Sequence, residues 1–219
     1  MSKKKPGISF FNQHAKELAA QYNALDRTRV HDALIDLLPN DMSGLNVLDI
    51  GAGSGADAFL FASRGCHVVA TEPASTLRKL AQSVFPHPFI EWSGASLPSL
   101  RGGKFKSRQF DVVTATGVFQ YLDDKEREKA FYRMAYLVKE DGLIELQYPT
   151  PASRIHQYDV PIKEVRGLVK QFNEASRDNM RLEICVDRLS PDLQGRAALN
   201  GAPLSFAAFV IKKIKNNKI

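Results

Sequence analysis

The sequence contains few cysteines, and none of them has the spacing of a metal site. Cys66 and Cys185 are the only two among 219 residues, and they form no Cys-x-x-Cys pair. This excludes the disulfide framework that holds many small secreted proteins together. A chain of this length buries enough surface to fold without cross-links. We therefore predict one domain over residues 1–219, in a reducing cytoplasmic setting and without a bound metal.

Long hydrophobic runs are also absent. No stretch approaches the ~18 consecutive apolar residues that a membrane-spanning helix requires. The lysines at positions 3–5 are not followed by the apolar segment of a secretory signal. We therefore expect neither a membrane span nor a membrane as partner.

Acidic residues are less frequent than basic ones. The sequence holds 24 Asp and Glu against 30 Lys and Arg, which gives a formal net charge of +6. Several lysines lie near the two ends, where charged residues usually form solvated tails, and a second basic group lies in the loop 101–108. Because such groups also bind phosphates non-specifically, nucleic acid is an alternative partner, although not the favoured one.

The most informative stretch runs from Val47 to Phe59. An apolar run leads into three glycines at every second position, Gly51, Gly53 and Gly55, and a helical pattern follows them. This order predicts a strand, a tight turn and a helix, with glycines where the backbone bends and a ligand approaches closely. Free amides at the start of that helix favour negative charge.

An acidic residue follows the next predicted strand. The strand His67–Thr71 ends on Glu72, which stands 21 positions after Gly51. An acid at the tip of the second strand can accept one hydrogen bond from each of two vicinal ribose hydroxyls. The stretch therefore predicts a site for a ligand that contains a nucleoside.

Two nucleoside cofactors fit these residues. Gly51-x-Gly53-x-x-Ala56 matches the fingerprint of NAD-binding proteins. The run from Val47 to Gly55 also resembles the first motif of class I S-adenosylmethionine (SAM)-dependent methyltransferases, in particular small bacterial ones. In that family the strand-end acid, here Asp49, lies near the methionine ammonium, whereas a dinucleotide would place its pyrophosphate against this turn. We therefore favour SAM, with S-adenosyl-L-homocysteine (SAH) as product, over NAD.

The resemblance covers residues 40–150 well and implies a set of cofactor-binding residues. In this family, helices before the first strand commonly cap the site, which places Tyr22 near the methionine arm. The family usually has an Asp before Leu97-Pro98 to accept from adenine, where this chain has Gly94, Ala95 and Ser96. A serine hydroxyl or a backbone carbonyl would have to serve instead. The implied cofactor-binding residues are Asp49, Gly51, Ala52, Gly53, Gly55, Glu72, Pro73, Ala95, Ser96, Thr116, Gly117 and Tyr22.

The order of predicted elements indicates an α/β fold. Two amphipathic helices, Phe10–Tyr22 and Thr28–Leu38, form an N-terminal cap over residues 1–40. Strands and helices then alternate in a core over residues 41–219, which predicts a doubly wound, mostly parallel sheet with helices on both faces. The resemblance implies seven strands, the last of them antiparallel. The predicted strands after the first are His67–Thr71, Phe89–Glu91, Phe110–Thr116, Leu143–Tyr148, Leu182–Val186 and Ser205–Lys212.

The sequence lacks the motifs of several specialised methyl transfers. After the fourth predicted strand stands Thr114-Ala115-Thr116-Gly117, not the Asn/Asp-Pro-Pro-aromatic motif of adenine amino-methylation. Neither cysteine follows a proline, which weighs against the covalent cytosine-C5 mechanism. A general base is required only where the nucleophile must lose a proton, so no catalytic triad is expected. The candidate bases are Tyr121, His156 and His14.

We therefore predict methyl transfer from SAM to an O, N or S atom of a small molecule. Three alternatives stay open. One is an RNA or protein methyltransferase that uses the basic loop 101–108, and another is a non-catalytic SAM-binding subunit that regulates a partner. The third, an NAD-dependent oxidoreductase, is disfavoured by Asp49.

Overall fold

Strands alternate with helices along the chain. The computed structural model describes residues 7–102, 105, 109–153, 157–176, 179–194 and 203–215. Within these residues the strands are β1 (Asn46–Ile50), β2 (His67–Thr71), β3 (Ile90–Ser93), β4 (Phe110–Thr116), β5 (Val138–Thr150), β6 (Met180–Pro191) and β7 (Ser205–Lys215). The α-helices are α1 (Ile8–Gln13), α2 (Ala15–Asn23), α3 (Arg27–Val30), α4 (Asp32–Ile35), α5 (Ala56–Ala62), α6 (Ser75–Val84), α7 (Asp124–Leu137) and α8 (Ile162–Ala175).

The strands form one sheet in the order β3-β2-β1-β4-β5-β7-β6. Strands β1 to β5 pair in parallel, and β7 runs antiparallel between β5 and β6. This confirms the predicted doubly wound, mostly parallel sheet with an antiparallel last strand. The strand order reverses between β1 and β4, and sheets of this kind bind ligands at the carboxyl ends of the strands beside the reversal.

Neighbouring residues of the central strands pack into two separate hydrophobic clusters, one on each face of the sheet. Val47 of β1 and Val112 of β4 belong to one cluster together with Phe61 of α5. The residues that follow them, Leu48 and Val113, belong to the other cluster, which α7 and α8 cover. Because both faces are buried, these strands read as continuous apolar runs in the sequence. Helices therefore cover both faces, as predicted.

The N-terminal cap is built from four short helices, whereas the sequence predicts two longer ones. The predicted helix Phe10–Tyr22 is interrupted at His14, and Thr28–Leu38 is interrupted at His31. At both histidines ψ is near +20°, far from the helical value of about −42°. Each interruption changes the direction of the chain, and the second one turns His31 into the protein, where its side chain is fully buried.

The cap rests on the strand end that carries the predicted nucleoside site. Ala15 and Ala19 of α2 pack against Ala74 and Leu77, at the start of α6. Small side chains on both sides permit this close approach of the two helices. Because α6 directly follows β2, the cap lies next to the carboxyl end of that strand.

Candidate functional site

A cavity of about 340 Å³ opens at the carboxyl ends of β1, β2, β4 and β5. The cap forms one wall of the cavity through Ile8, Phe11, Tyr22 and Leu25. The volume is in the range of small-molecule sites, and the position is the reversal of strand order at which such sheets bind ligands.

The turn between β1 and α5 has its glycines in the left-handed region. Gly51, Gly53 and Gly55 have φ angles of 70°, 56° and 84°, which strain any residue that carries a side chain. A Cβ on Gly51 would lie 2.6 Å from Val118 Cγ2, and one on Gly53 would lie 3.4 Å from the Tyr22 ring. The turn therefore presents bare backbone between the loop after β4 and the cap.

Glu72 lies at the end of β2, beside the glycine turn, and its buried side chain lines the cavity. Its Oε2 accepts a hydrogen bond from the Gly53 amide at 3.1 Å, and its Oε1 accepts one from the Ala74 amide at 2.8 Å. Burial raises the pKa of Glu72, against the effect of these two amides. Because a carboxylate oxygen can accept more than one hydrogen bond, both oxygens can also bind a pair of ligand hydroxyls.

Asp49 lies behind the glycine turn and does not line the cavity. Its Oδ1 accepts from Thr114 Oγ1 at 3.2 Å, and its Oδ2 has no hydrogen-bond partner among the described residues. Burial, together with the negative charge of Asp57, raises the pKa of Asp49 to about 7. Its approach to a methionine ammonium, which the resemblance implies, stays a prediction.

A buried ionic cluster that the sequence analysis missed lies beside the cavity. Arg27 donates from Nε and Nη2 to the two carboxylate oxygens of Asp57. His31 Nε2 lies 2.9 Å from Asp57 Oδ1, and His31 Nδ1 lies 2.5 Å from Glu145 Oε2. Gln147 Nε2 donates to Glu145 Oε1 at 2.8 Å. This group, the Asp57 cluster, joins the cap to the first turn of α5 and to β5.

The charges of the Asp57 cluster stabilise one another. Burial by itself would lower the pKa of His31, but the carboxylates of Glu145 and Asp57 outweigh it and raise the pKa to about 10. Burial by itself would raise the pKa of Asp57, but Arg27 and His31 hold it well below its usual range. A charged imidazole therefore bridges two carboxylates in the protein interior.

The sequence offers one signal for this cluster. Asp57 stands in the first turn of the predicted helix after the glycines, which is a favourable place for any acidic residue. His31 lies in a pattern that predicts an amphipathic helix, and Glu145 lies in one that predicts an apolar strand. The two residues are 114 positions apart, so only the structure shows that they form a pair.

The raised pKa of His31 predicts a loss of stability at alkaline pH. The unfolded-state pKa is about 6.5, so the charged imidazole stabilises the fold fully below that value and loses its effect as pH rises towards 10. Between pH 7.5 and 9 we expect the free energy of unfolding to fall by on the order of 2 kcal/mol. Urea unfolding at the two pH values measures this.

His31→Gln removes the titrating group, so its unfolding free energy should change much less over the same interval. The exposed His67 provides the control variant His67→Gln, which should retain the pH dependence of the unsubstituted protein. An NMR titration of the His31 imidazole gives a second reading. A midpoint near 6.5 would contradict the prediction.

The turn after β4 supplies polar groups to another part of the cavity wall. Gly117, Gln120 and Tyr121 all line the cavity. The Gly117 carbonyl accepts from Gln120 Nε2 at 2.7 Å, and Tyr121 Oη accepts from Gln157 Nε2 at 3.2 Å. The Tyr158 amide donates to the Gln120 carbonyl at 2.8 Å. The segment after β5 is therefore tied to the turn after β4.

The loop after β3 lines the cavity through Ala95, Ser96 and Leu97. The Ala95 amide donates to Ser93 Oγ at 3.2 Å, and the Ser96 carbonyl accepts from the Leu100 amide at 2.9 Å. Residues 93–102 include no carboxylate. Any adenine in this part of the cavity would meet serine and backbone groups, as the sequence indicates.

Most of the predicted site residues come together in this cavity: Tyr22, Gly51, Ala52, Gly53, Glu72, Pro73, Ala95, Ser96, Thr116, Gly117 and Tyr121. Asp49 and Gly55 do not line it. His14 lies between α1 and α2 with Nδ1 3.1 Å from Glu17 Oε2, and it does not line the cavity. His156 lies outside the described residues. Lining residues that the sequence analysis did not single out include Arg27, Asp57, Gln120, Ser153, Gln157 and Phe206.

Two curated relatives are described as uncharacterised methyltransferases. The one from Anoxybacillus flavithermus is 27% identical over 141 residues, which covers 64% of this chain and 63% of the relative. The one from Oceanobacillus iheyensis is 22% identical over 122 residues, which covers 54% of this chain and 54% of the relative. The chain thus spans between about half and two thirds of the relatives that it matches.

Solved structures of the same fold are more distant in sequence. The 1,6-didemethyltoxoflavin-N1-methyltransferase of Burkholderia thailandensis, solved with 1,6-didemethyltoxoflavin and SAH, has a TM-score of 0.68 at 16% identity and covers 95% of this chain and 87% of its own. The magnesium protoporphyrin IX methyltransferase of Synechocystis, solved with bound SAH, has a TM-score of 0.66 at 12% identity. The match covers 94% of this chain and 97% of the Synechocystis chain. At these identities the likeness concerns the fold.

The sequence pattern of one protein family extends over most of the chain. The family described as "Methyltransferase domain" matches residues 20–182. This range includes the glycine turn, Glu72, the loops after β3 and β4, and the part of the cap from the end of α2 onward. The match confirms the resemblance to class I SAM-dependent methyltransferases and removes the NAD-dependent alternative. The chain belongs to the methyltransferase-domain family.

Proposed function

We propose that this protein transfers a methyl group from SAM to an O, N or S atom of a small molecule. The observation that carries the proposal is the cavity itself, which extends from Glu72 and the glycine turn to the turn after β4. The cap forms one wall of it through Phe11, Tyr22 and Leu25. A walled cavity of about 340 Å³ is of the size that holds small ligands.

The described residues fit the parts of SAM. Glu72 has capacity for the two ribose hydroxyls, and Pro73, Leu77 and Leu97 give the cavity an apolar wall on the same side, suited to a flat adenine. Gly51 and Gly53 line the cavity with bare backbone, against which the methionine part can lie. The Burkholderia enzyme of the same fold was solved with both SAH and 1,6-didemethyltoxoflavin bound, which is consistent with a site for a cofactor and a small acceptor here.

SAM, when bound, supplies a methyl group on a sulfonium: the acceptor lone pair forms the new bond, the C–S electron pair returns to sulfur, and any proton on the attacking atom passes to a base or to water. The protein has to align the two molecules and exclude water. The cap and the turn after β4 both line the cavity and meet where Phe11 contacts Tyr121, so both can contact an acceptor. Tyr121 is the candidate base that lines the cavity.

Glu72→Ala should weaken SAM binding by about 1.5–3 kcal/mol, the range for hydrogen bonds to a charged group, or roughly 10- to 150-fold in Kd. The reason is the loss of both acceptors for the ribose diol. Isothermal titration calorimetry measures the effect.

Glu128→Ala, at an exposed position of α7 outside the cavity, is the matched control and should bind SAM normally. Glu72 also accepts a hydrogen bond from the glycine turn, at Gly53. Urea unfolding of Glu72→Ala shows whether a destabilised turn contributes to the loss of SAM affinity. An unchanged Kd would remove Glu72 from the cofactor site.

SAH formation in the presence of small-molecule fractions tests the function as a whole. The two alternatives predict different results. Normal SAM affinity without turnover on any acceptor would favour a regulatory subunit. Retention on RNA that salt weakens would favour a nucleic-acid acceptor. Of the basic loop 101–108, Lys104, Lys106 and Arg108 lie outside the described residues, while Arg101 is exposed.

The predicted cellular setting is compatible with this role. Cys66 and Cys185 are free thiols, and a cytoplasmic location stays a prediction. In the part of the chain that the structure describes, no helix has both the length and the apolar character to cross a membrane. The single-domain assignment of residues 1–219 also stays a prediction.

A further inference from the structure

The half of the cavity away from Glu72 is mostly apolar and rich in aromatic residues. It lies over the ends of β4, β5 and β7, where Pro149 and Phe206 pair across the sheet. From the cap, Phe11 meets the Tyr121 ring edge-on, with ring centroids 5.4 Å apart. Aromatic walls of this kind favour flat rings, which can stack or pack edge-on against them.

The described lining offers no charged partner for an acceptor in this half. Its charged residues are Arg27, Asp57 and Glu72. Arg27 and Asp57 neutralise each other in the Asp57 cluster, and Glu72 lies on the β2 side. A charge taken out of water without a partner is costly. The described lining of this half therefore favours a neutral acceptor over a charged one.

In the same half of the cavity, Gln120 carries a side-chain oxygen that can only accept a hydrogen bond. The residue is only 3% exposed, and its Nε2 donates to the Gly117 carbonyl at 2.7 Å. This hydrogen bond identifies the other amide atom as the oxygen, and Oε1 has no hydrogen-bond partner among the described residues. A buried acceptor without a partner is destabilising, and a ligand donor removes that cost. Since an amide oxygen only accepts, the ligand must donate.

The neighbouring polar groups support this assignment. Thr116 Oγ1, at the end of β4, is also buried without a partner among the described residues. Gln157 is engaged by other groups: its Nε2 donates to Tyr121 Oη, and its Oε1 accepts from Ser153 Oγ at 2.9 Å. Among these groups Gln120 Oε1 and Thr116 Oγ1 are the two left to bind an acceptor, and of the two the amide oxygen can only accept a hydrogen bond.

Resting on the proposed function, we infer that the acceptor is a neutral, flat aromatic or heteroaromatic molecule that donates an N–H or O–H hydrogen bond to Gln120 Oε1. Gln120 is a specificity-determining residue in this arrangement. Molecules that carry a carboxylate or an ammonium group, and molecules whose donor is blocked, fit this half of the cavity less well.

Three matched probes test the inference on the full chain saturated with SAH: 4-hydroxyquinoline, 4-methoxyquinoline and 4-hydroxyquinoline-2-carboxylate. Binding is measured by calorimetry. We expect the first probe, which is neutral and has a donor, to bind about tenfold or more tightly than either of the others, as one hydrogen bond of about 1.4 kcal/mol would produce. Equal or tighter binding of the methoxy or carboxylate probe would overturn the inference.

The same titrations separate this inference from the proposed function. Absence of binding by all three probes, with normal SAH affinity, would overturn the acceptor class and leave the cofactor site intact. Absence of SAH binding would instead overturn the proposed function.

Gln120→Met tests the assigned residue, because methionine has a similar length but no amide oxygen. The variant should lose most of the preference for the hydroxy over the methoxy probe and keep its SAH affinity. Gln21→Met, at an exposed position of α2 outside the cavity, is the matched control and should retain the preference. A Gln120→Met protein that still discriminates tenfold would show that another group reads the acceptor.

Discussion

Replacing Gly53 by valine is expected to abolish SAM binding. Gly53 has a φ of 56°, a conformation that costs a residue with a side chain roughly 1–2 kcal/mol. A new Cβ would lie 3.4 Å from the Tyr22 ring, so the valine methyl groups would extend into the space between the turn and the cap. We expect Kd to rise by about 100-fold or more, ~2.7 kcal/mol or more, while the sheet stays folded.

Gly44→Val is the matched control for this change. Gly44 has a φ of 78°, and a Cβ there meets no atom within 4 Å. It therefore imposes a similar backbone strain without filling the cavity, and its SAM affinity should be normal. Calorimetry with both variants distinguishes occlusion from general strain. Tight SAM binding by Gly53→Val would show that the cofactor does not lie against this turn.

Removal of the Asp57 carboxylate is expected to have the largest effect on stability. Asp57→Ala leaves Arg27 without its bidentate partner and takes one of two carboxylates away from His31. The cations stay buried, and a buried pair broken on one side typically costs about 3–5 kcal/mol. We expect a loss of this size in the free energy of unfolding, measured by urea unfolding at pH 7.

Asp187→Asn is the corresponding change in a surface pair. Arg166 Nε lies 2.6 Å from Asp187 Oδ2, but the Arg166 side chain is 58% exposed, so solvent screening should leave this pair with a much smaller contribution to stability than the Asp57 cluster. Asp57→Asn keeps the shape of Asp57 without the charge and separates electrostatics from packing. Similar small losses for all three variants would show that the Asp57 cluster is not a stabilising core.

The glycine turn and the strands around it were predictable because their signals are local. Gly51, Gly53 and Gly55 follow one another at every second position, and each has the positive φ that only glycine adopts easily. The strands β2 and β4 have the predicted bounds, His67–Thr71 and Phe110–Thr116. Apolar runs between turn residues define such buried strands without any knowledge of their neighbours.

The cap was predicted less well, since its geometry depends on distant partners. The helical periodicity around His14 and His31 continues across each interruption, so the sequence does not mark either one. His31 is held by Asp57 and Glu145, which stand 26 and 114 positions away. Charge pairs of this kind form only when the sheet is assembled.

The sequence by itself determined the alternation of strands and helices, the bare turn and the acid at the tip of the second strand. These features depend on backbone conformation and on hydrophobic periodicity, both of which act over a few residues. Only the tertiary structure decided that Asp49 does not line the cavity, that Arg27 and Asp57 of the Asp57 cluster do, and that Gln120 Oε1 has no hydrogen-bond partner among the described residues. Burial and hydrogen bonding between distant segments exist only in the folded chain, because they depend on which groups water can no longer reach.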